Sequence, residues 1–233
     1  ISNFLISSEI RKKIKKIKKK EKIFDPNICQ KYLKKFKFIL TNDQIKAMKE
    51  INNDLKSKQR MFRLLQGDVG SGKTIIALIA ALNVIKSGFQ VAMMVPTEIL
   101  AKQHYTFASD LFGKDISIEL LTGKTEYKQK KSTLENIKQN KIKLIIGTHA
   151  LFQKKVDYKN LGLIIIDEQH KFGVRQRKEL SDKGGNNCDV LVMSATPIPR
   201  TMIMTIYGDM DVTLIKEKPK NRKAITTYSK LET

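Results

Sequence analysis

Residues 67–74 of this 233-residue chain, G-D-V-G-S-G-K-T, constrain its fold more than any other segment. They fit the phosphate-cradling pattern G-x-x-x-x-G-K-[ST], in which backbone N–H groups and a helix N-terminus hold an anion. The apolar run at 61–66 predicts a buried strand, and the run at 75–82 predicts a helix packed on most sides. This context favours a nucleotide site; the alternative is a glycine turn that merely precedes a core helix.

The residues of this loop have separate predicted roles. The Lys73 ammonium would reach the β- and γ-phosphates of a nucleotide, and the Thr74 hydroxyl would hold Mg²⁺. The predicted cradle consists of Gly67, Asp68, Val69, Gly70, Ser71, Gly72, Lys73 and Thr74.

Two acidic residues follow a second apolar run. Residues 161–166, L-G-L-I-I-I, predict a strand buried on both faces of a parallel sheet. Asp167 at its end can hold Mg²⁺, and Glu168 can polarise the attacking water, as phosphoryl transfer requires. We therefore predict Lys73, Asp167 and Glu168 as catalytic residues. The alternative is that the two acids cap a neighbouring helix.

From Phe36 onward, predicted strands and helices alternate, which indicates a doubly wound α/β fold with a mostly parallel sheet and helices on both faces. Strands are predicted at 62–66, 90–95, 117–122, 144–148, 163–167, 190–194 and 212–216. Helices are predicted at 43–56, 73–87, 98–112, 127–140 and 199–207. Ligands should gather at the carboxyl ends of the strands.

The N-terminal segment is strongly basic. Residues 11–20 are basic except for Ile14 and Ile17, which share one helical face with Ile6 and Ile10. This pattern predicts a basic amphipathic helix. Three interpretations stay open: a connector packed on the following domain, an arm that contacts nucleic acid, or a helix on a membrane surface.

Composition narrows the class of protein. The chain has 45 Lys and Arg against 23 Asp and Glu, a net charge of +22, which suits a polyanionic partner but is also the mark of a lysine-rich proteome. Cys29 and Cys188 provide no disulfide framework, and His104, His149 and His170 lie far apart in sequence, so we predict no zinc. No membrane-length apolar stretch or signal peptide is found, so we expect a reducing cytoplasm.

The acidic box Asp167-Glu168-Gln169-His170 resembles motif II of superfamily 2 helicases. The other motifs of the first motor lobe follow in order: F-I-L-T-N-D-Q at 38–44, P-T-E-I-L-A-K-Q-H at 96–104, G-T-H-A-L at 147–151 and S-A-T-P-I-P-R-T at 194–201. Residues 167–177 most resemble the RecG family of bacterial branched-DNA translocases, with Lys171 where that family usually has arginine.

This resemblance implies a RecA-like helicase lobe at residues 36–220, preceded by a basic helical connector at 1–35. Residues 221–233 would begin a linker to a second lobe. The chain starts without methionine, so we expect a fragment of a longer parent.

The resemblance also assigns binding residues. Gln44 would recognise adenine with Phe38 as a shelf, although Thr41 and Gln44 also fit a helix capping box. Nucleic-acid contacts are implied at Thr97, Thr122, Gly123, Thr148 and His149. Thr97 could instead serve only as a helix N-cap.

Coupling between nucleotide and DNA is implied for a third set of residues. Its members are Gln169, His170, Arg175, Arg177, Ser194 and Thr196. For His170, Ser194 and Thr196, the alternative is a buried polar network that only holds two strand ends together.

The predicted function is an ATP- and Mg²⁺-dependent DNA helicase or translocase lobe acting on branched DNA, such as forks and Holliday junctions. Its partners would be DNA, a second lobe and a wedge domain of the parent chain. Alternatives are an Mfd-type duplex translocase of transcription-coupled repair and a passive nucleic-acid-binding module. Because the second lobe supplies an arginine finger worth roughly 10³–10⁵ in rate, we expect the isolated chain to be nearly inactive.

Overall fold

A computed structural model describes residues 18–25, 27–35, 39–153, 155–167, 185–196 and 210–217. Its strands form one seven-stranded sheet in which every neighbouring pair is parallel, in the order β3-β4-β2-β5-β6-β1-β7. The strands are β1 Phe62–Gly67, β2 Gln90–Met94, β3 Ile118–Leu121, β4 Leu144–Gly147, β5 Leu161–Asp167, β6 Asp189–Ser194 and β7 Asp211–Ile215. The predicted α/β sheet is confirmed, and its described pairs are wholly parallel.

The described α-helices are α1 Ile28–Lys35, α2 Asn42–Lys56, α3 Lys73–Lys86, α4 Glu98–Phe112 and α5 Tyr127–Lys138. Short 3₁₀ helices span Gly113–Asp115, His149–Phe152 and Gly185–Asn187. The predicted helix at 199–207 lies outside the described residues. Within the described ranges, no helix is both long and apolar enough to cross a membrane.

Alternation along the buried strands builds a core on each face of the sheet. In β5, Leu163 and Ile165 join one hydrophobic cluster, whereas Ile164 and Ile166 join the other. The first cluster is covered by α1, α2, α3 and α4, and the second by α5 and the 3₁₀ helix at 149–152. α3 is packed on most sides, as its sequence predicts, and it begins directly after the glycine loop.

The N-terminal segment corrects one prediction. Lys18 forms an antiparallel bridge with Gln59, and residues 18–20 are not helical, so the amphipathic helix predicted over 11–20 is wrong there; residues 11–17 lie outside the described ranges. The reason is long-range pairing: the ammonium groups of Lys19 and Lys22 both lie 2.7 Å from the Asp189 carboxylate, with all three side chains fully buried. Burial lowers the pKa of Lys19, and the Asp189 charge opposes that shift.

The segment is also tied to the domain by its backbone. The N–H of Lys19 donates to the carbonyl of Lys58, and that of Lys22 to the carbonyl of Leu55. Of the three interpretations of the basic segment, this packing favours a connector for residues 18–25.

Candidate nucleotide and nucleic-acid sites on one sheet edge

The carboxyl ends of the parallel strands all meet at one edge of the sheet, and strand order divides that edge in two. We call the ends of β5, β6 and β1 the nucleotide half and the ends of β3, β4 and β2 the nucleic-acid half, after the contacts predicted for the residues there. In register, Asp167 pairs with Met193, and Ser194 with Gln66. Since neighbouring strands are about 4.8 Å apart, Asp167 and the end of β1, where the glycine loop begins, lie on the order of 10 Å apart, with β6 between them.

The glycine loop joins β1 directly to α3. The Lys73 ammonium is largely buried and donates to the carbonyls of Gly67 at 2.7 Å and Asp68 at 3.0 Å. Gly72 caps α3 with φ +85°, a conformation that favours glycine. At the N-terminus of α3, the Ile76 N–H donates to the Gly72 carbonyl and begins the hydrogen bonds of the helix. This arrangement can bind phosphate.

Gln44 connects the predicted adenine motif to this loop. Its Oε1 accepts from the Thr41 N–H at 3.0 Å, and its Nε2 donates to the Ser71 carbonyl at 2.7 Å. Thr41 caps α2 through the Gln44 N–H, so the capping box is formed. A Cβ on Gly72 would lie 2.4 Å from the Gln44 Nε2, a second reason for glycine there. The adenine contact stays a prediction, and Phe38 lies outside the described residues.

Asp167 ends β5 on the nucleotide half. Its side chain is 13% exposed, and its Oδ2 lies 3.0 Å from Nε2 of His104 on α4. A carboxylate at this strand end and the half-buried Thr74 hydroxyl at the start of α3 are oxygen ligands that suit Mg²⁺. Glu168, which would polarise the water, lies outside the described residues.

The predicted coupling residues are only partly described. The Ser194 and Thr196 hydroxyls are 3.1 Å apart, and the Gln66 Nε2 donates to the Thr196 carbonyl at 3.2 Å. This polar network ties the end of β6 to β1; Ser194 and Gln66 are buried in it, whereas Thr196 is exposed. The other members, Gln169, His170, Arg175 and Arg177, lie outside the described residues, so coupling stays a prediction.

On the nucleic-acid half, α4 begins where β2 ends. The Thr97 hydroxyl caps α4 by accepting from the Leu100 N–H at 3.3 Å, so the N-cap role is real, and the residue is still exposed. Thr148 follows β4 and precedes the 3₁₀ helix that starts at the exposed His149. These positions can offer backbone and hydroxyl groups to phosphates.

The ends of β3 and β4 approach closely. A Cβ on Gly147 would lie 1.9 Å from the Leu121 carbonyl oxygen, so only glycine fits there. Thr122 is buried and its N–H donates to the Thr125 hydroxyl at 3.0 Å, whereas Gly123 is exposed. The structure thus brings Thr97, Thr122, Gly123, Thr148 and His149 to three neighbouring strand ends.

A groove of about 520 Å³ continues the nucleic-acid half between α5 and the segment after the 3₁₀ helix at 149–152. Its lining is Tyr127, Lys130, Lys131, Leu134, Gln153 and Lys155. Tyr127 is 84% exposed, and three of these described lining residues are lysines. Sequence patterns did not single out this groove, because its two sides come from separate elements.

His104 is the residue that sequence reasoning left without a role. It stands in the P-T-E-I-L-A-K-Q-H motif, and nothing in local spacing relates it to Asp167, 63 positions away. The adjacency of β2 and β5, with Met94 opposite Ile166, brings the two together. To predict the contact between His104 and Asp167, one would have needed to know this strand order.

Comparisons with known proteins agree with this geometry. Residues 41–205 match the DEAD/DEAH box helicase family. The chain is 53% identical over 216 residues to the ATP-dependent DNA helicase RecG of Aquifex aeolicus, covering 90% of this chain and 27% of that protein. It is 52% identical over 206 residues to RecG of Bacillus subtilis, covering 88% and 30%.

The similarity extends to three dimensions. A structure of RecG bound to a three-way DNA junction superposes with a TM-score of 0.83 at 43% identity, covering 96% of this chain and 30% of that one. The chain thus spans under a third of the length of these relatives. From the glycine loop, the acidic strand end and the family match over residues 41–205, the chain belongs to the DEAD/DEAH box helicases and is similar to one part of RecG.

Proposed function

We propose that this chain is the ATP-binding motor lobe of a DNA translocase that acts on branched DNA. The observation that carries the proposal is that two kinds of site share one edge of the sheet. One part of the edge has a phosphate-binding loop and a strand that ends in an acidic residue, and the other part has three strand ends suited to a nucleic-acid backbone. Similarity to RecG at 53% identity supports branched DNA as the substrate class.

On the nucleotide half, ATP would occupy the glycine loop with its phosphates at the N-terminus of α3. Lys73 would exchange its loop carbonyls for the β- and γ-phosphates. Thr74 and Asp167 would hold Mg²⁺, which neutralises charge on the phosphates, and Glu168 would polarise water. Before ATP binds, the two loop carbonyls hold the Lys73 ammonium at the glycine loop, beside the proposed position of the phosphates.

On the nucleic-acid half, one DNA strand would pass over Thr97, Thr148 and Gly123. The lysines of the groove beside α5 would extend the phosphate path, and the exposed Tyr127 ring offers a surface for an unpaired base. The net charge of +22 raises the local concentration of DNA without selecting its sequence.

The test uses the full-length protein that carries this sequence. ATP hydrolysis is measured with forked DNA and with linear duplex of equal length at the same salt concentration. Strong preference for the fork supports the proposal. Equal stimulation by both points to a plain duplex translocase of the Mfd type, and absence of ATP binding points to a passive binding module.

A second measurement concerns the chain by itself. We expect slow ATP turnover, because the arginine finger that stabilises the transition state comes from a second lobe in this class of motor. Brisk DNA-stimulated turnover by residues 1–233 alone would contradict this expectation.

A further inference from the structure

We propose that His104 is a positioning residue that holds the Asp167 carboxylate for the metal and connects it to the helix whose N-terminus grips DNA. The proposal rests on the proposed function for its metal and DNA partners. The contact itself is geometric: Nε2 of His104 lies 3.0 Å from Oδ2 of Asp167, and the two side chains are 12% and 13% exposed.

The contact fixes one carboxylate oxygen and leaves the other for a ligand. An ionised carboxylate only accepts hydrogen bonds, so the imidazole N–H donates to Oδ2 of Asp167. Among the described residues, His104 is the hydrogen-bond partner recorded for this carboxylate. Metal-binding carboxylates are commonly held by such a second group, which fixes their orientation.

The same helix reaches the nucleic-acid half. Thr97 is the N-cap of α4, and His104 lies seven residues later, two turns along, so both stand on similar faces about 10 Å apart. α4 is a continuous 15-residue helix whose Ala101, Ala108 and Leu111 are buried in the core, and its backbone hydrogen bonds connect its first turn to His104. Any shift that DNA imposes on the start of α4 therefore reaches the Asp167 carboxylate through His104.

The test measures metal binding directly in the full-length protein. Mn²⁺, as a substitute for Mg²⁺, is titrated into the ADP complex and followed by electron paramagnetic resonance, with and without forked DNA. Without DNA, His104→Ala should weaken Mn²⁺ binding about 10-fold or more, as losses of such second groups do. His104→Gln keeps an N–H donor at similar reach and should restore most of the affinity.

Thr106→Ala is the matched control, since Thr106 is exposed on the same helix, and it should leave Mn²⁺ affinity unchanged. In the wild-type ADP complex, DNA should change the Mn²⁺ affinity, and Mn²⁺ should change the DNA affinity of that complex by the same factor. In His104→Ala that factor should fall close to one. Thermal melting of each variant checks that the fold is kept.

Two results would overturn the proposal. Wild-type Mn²⁺ affinity in folded His104→Ala without DNA would show that His104 does not position the carboxylate. If forked DNA changes the Mn²⁺ affinity of His104→Ala by the same factor as in the wild type, α4 does not act on the Asp167 carboxylate through His104. If DNA has no effect on Mn²⁺ binding even in the wild type, the link to DNA fails, while the DNA-free titration still decides the positioning role. The proposed motor function is decided separately, by DNA-stimulated ATP hydrolysis of the wild-type protein.

Discussion

The two halves of the sheet edge differ in how their polar groups are held. On the nucleotide half, Gln44, Lys73 and Ser194 are buried and already hydrogen-bonded within the protein. On the nucleic-acid half, Thr97, Gly123 and His149 are exposed, and Thr122 is the buried member of the set. The difference suits the two tasks: charge stabilisation during phosphoryl transfer needs donors fixed in advance, whereas a grip on a moving DNA strand needs accessible groups that release it.

This comparison predicts that single changes on the nucleotide half act on chemistry far more than on stability. Lys73→Ala should lower the ATP hydrolysis rate of the full-length protein about 10²–10³-fold, the usual loss for one preorganised donor. Lys86→Ala is the control, because Lys86 is the exposed last residue of α3, at the opposite end of the helix from the glycine loop, and should be tolerated. Comparable hydrolysis by Lys73→Ala and Lys86→Ala would remove the glycine loop from the mechanism.

On the nucleic-acid half, the largest effect should come from packing beneath the exposed residues. Gly147→Ala places a methyl group 1.9 Å from the Leu121 carbonyl oxygen, so β3 and β4 must separate, at about 3 kcal/mol of folding free energy. Gly123→Ala meets only the Glu98 Oε1, at 3.6 Å, and should change stability by less than about 0.5 kcal/mol. Calorimetric melting measures the stability of both variants. Equal melting temperatures for Gly147→Ala and Gly123→Ala would mean that this edge of the sheet is not tightly packed.

Gln44 sharpens the comparison, since it has both a structural and a proposed recognition role. Gln44→Ala leaves the Thr41 N–H and the Ser71 carbonyl without their partner, so nucleotide affinity should fall about 10-fold, equivalent to roughly 1–2 kcal/mol. Titrations with fluorescent ATP and GTP separate the roles. A loss confined to ATP indicates adenine recognition, whereas equal losses for both indicate that the residue only supports the loop.

The smallest effect is expected at the groove beside α5. Lys131→Ala should weaken DNA binding a few-fold and reduce the slope of log affinity against log salt by about one, because one phosphate contact is lost. Lys128→Ala on the same helix is the control, since Lys128 does not line the groove. Fluorescence anisotropy at several salt concentrations measures both; identical slopes for the two variants would place the DNA path elsewhere.

Most of the fold followed from local patterns. The unbroken apolar run before Asp167 predicted a doubly buried strand, and the structure has β5 at Leu161–Asp167 with every residue buried. The spacing of basic residues near the N-terminus predicted a helix, and this prediction was wrong at residues 18–20. The spacing of charges carries no information about a buried partner such as Asp189. A local sequence pattern predicts an element well when all residues of that element are buried alike. It predicts an element poorly when a contact with one distant side chain determines the backbone conformation.

The sequence by itself determined the glycine loop, the acidic strand end and the alternation of strands and helices, since each depends on residues within one or two turns of chain. Tertiary structure alone decided the strand order, and with it which strand ends are neighbours. Only that order places β6 between the glycine loop and Asp167, and β2 beside β5, so that His104 reaches a carboxylate 63 residues away. Contacts at such separation are set by the packing of whole elements, which no short-range pattern records.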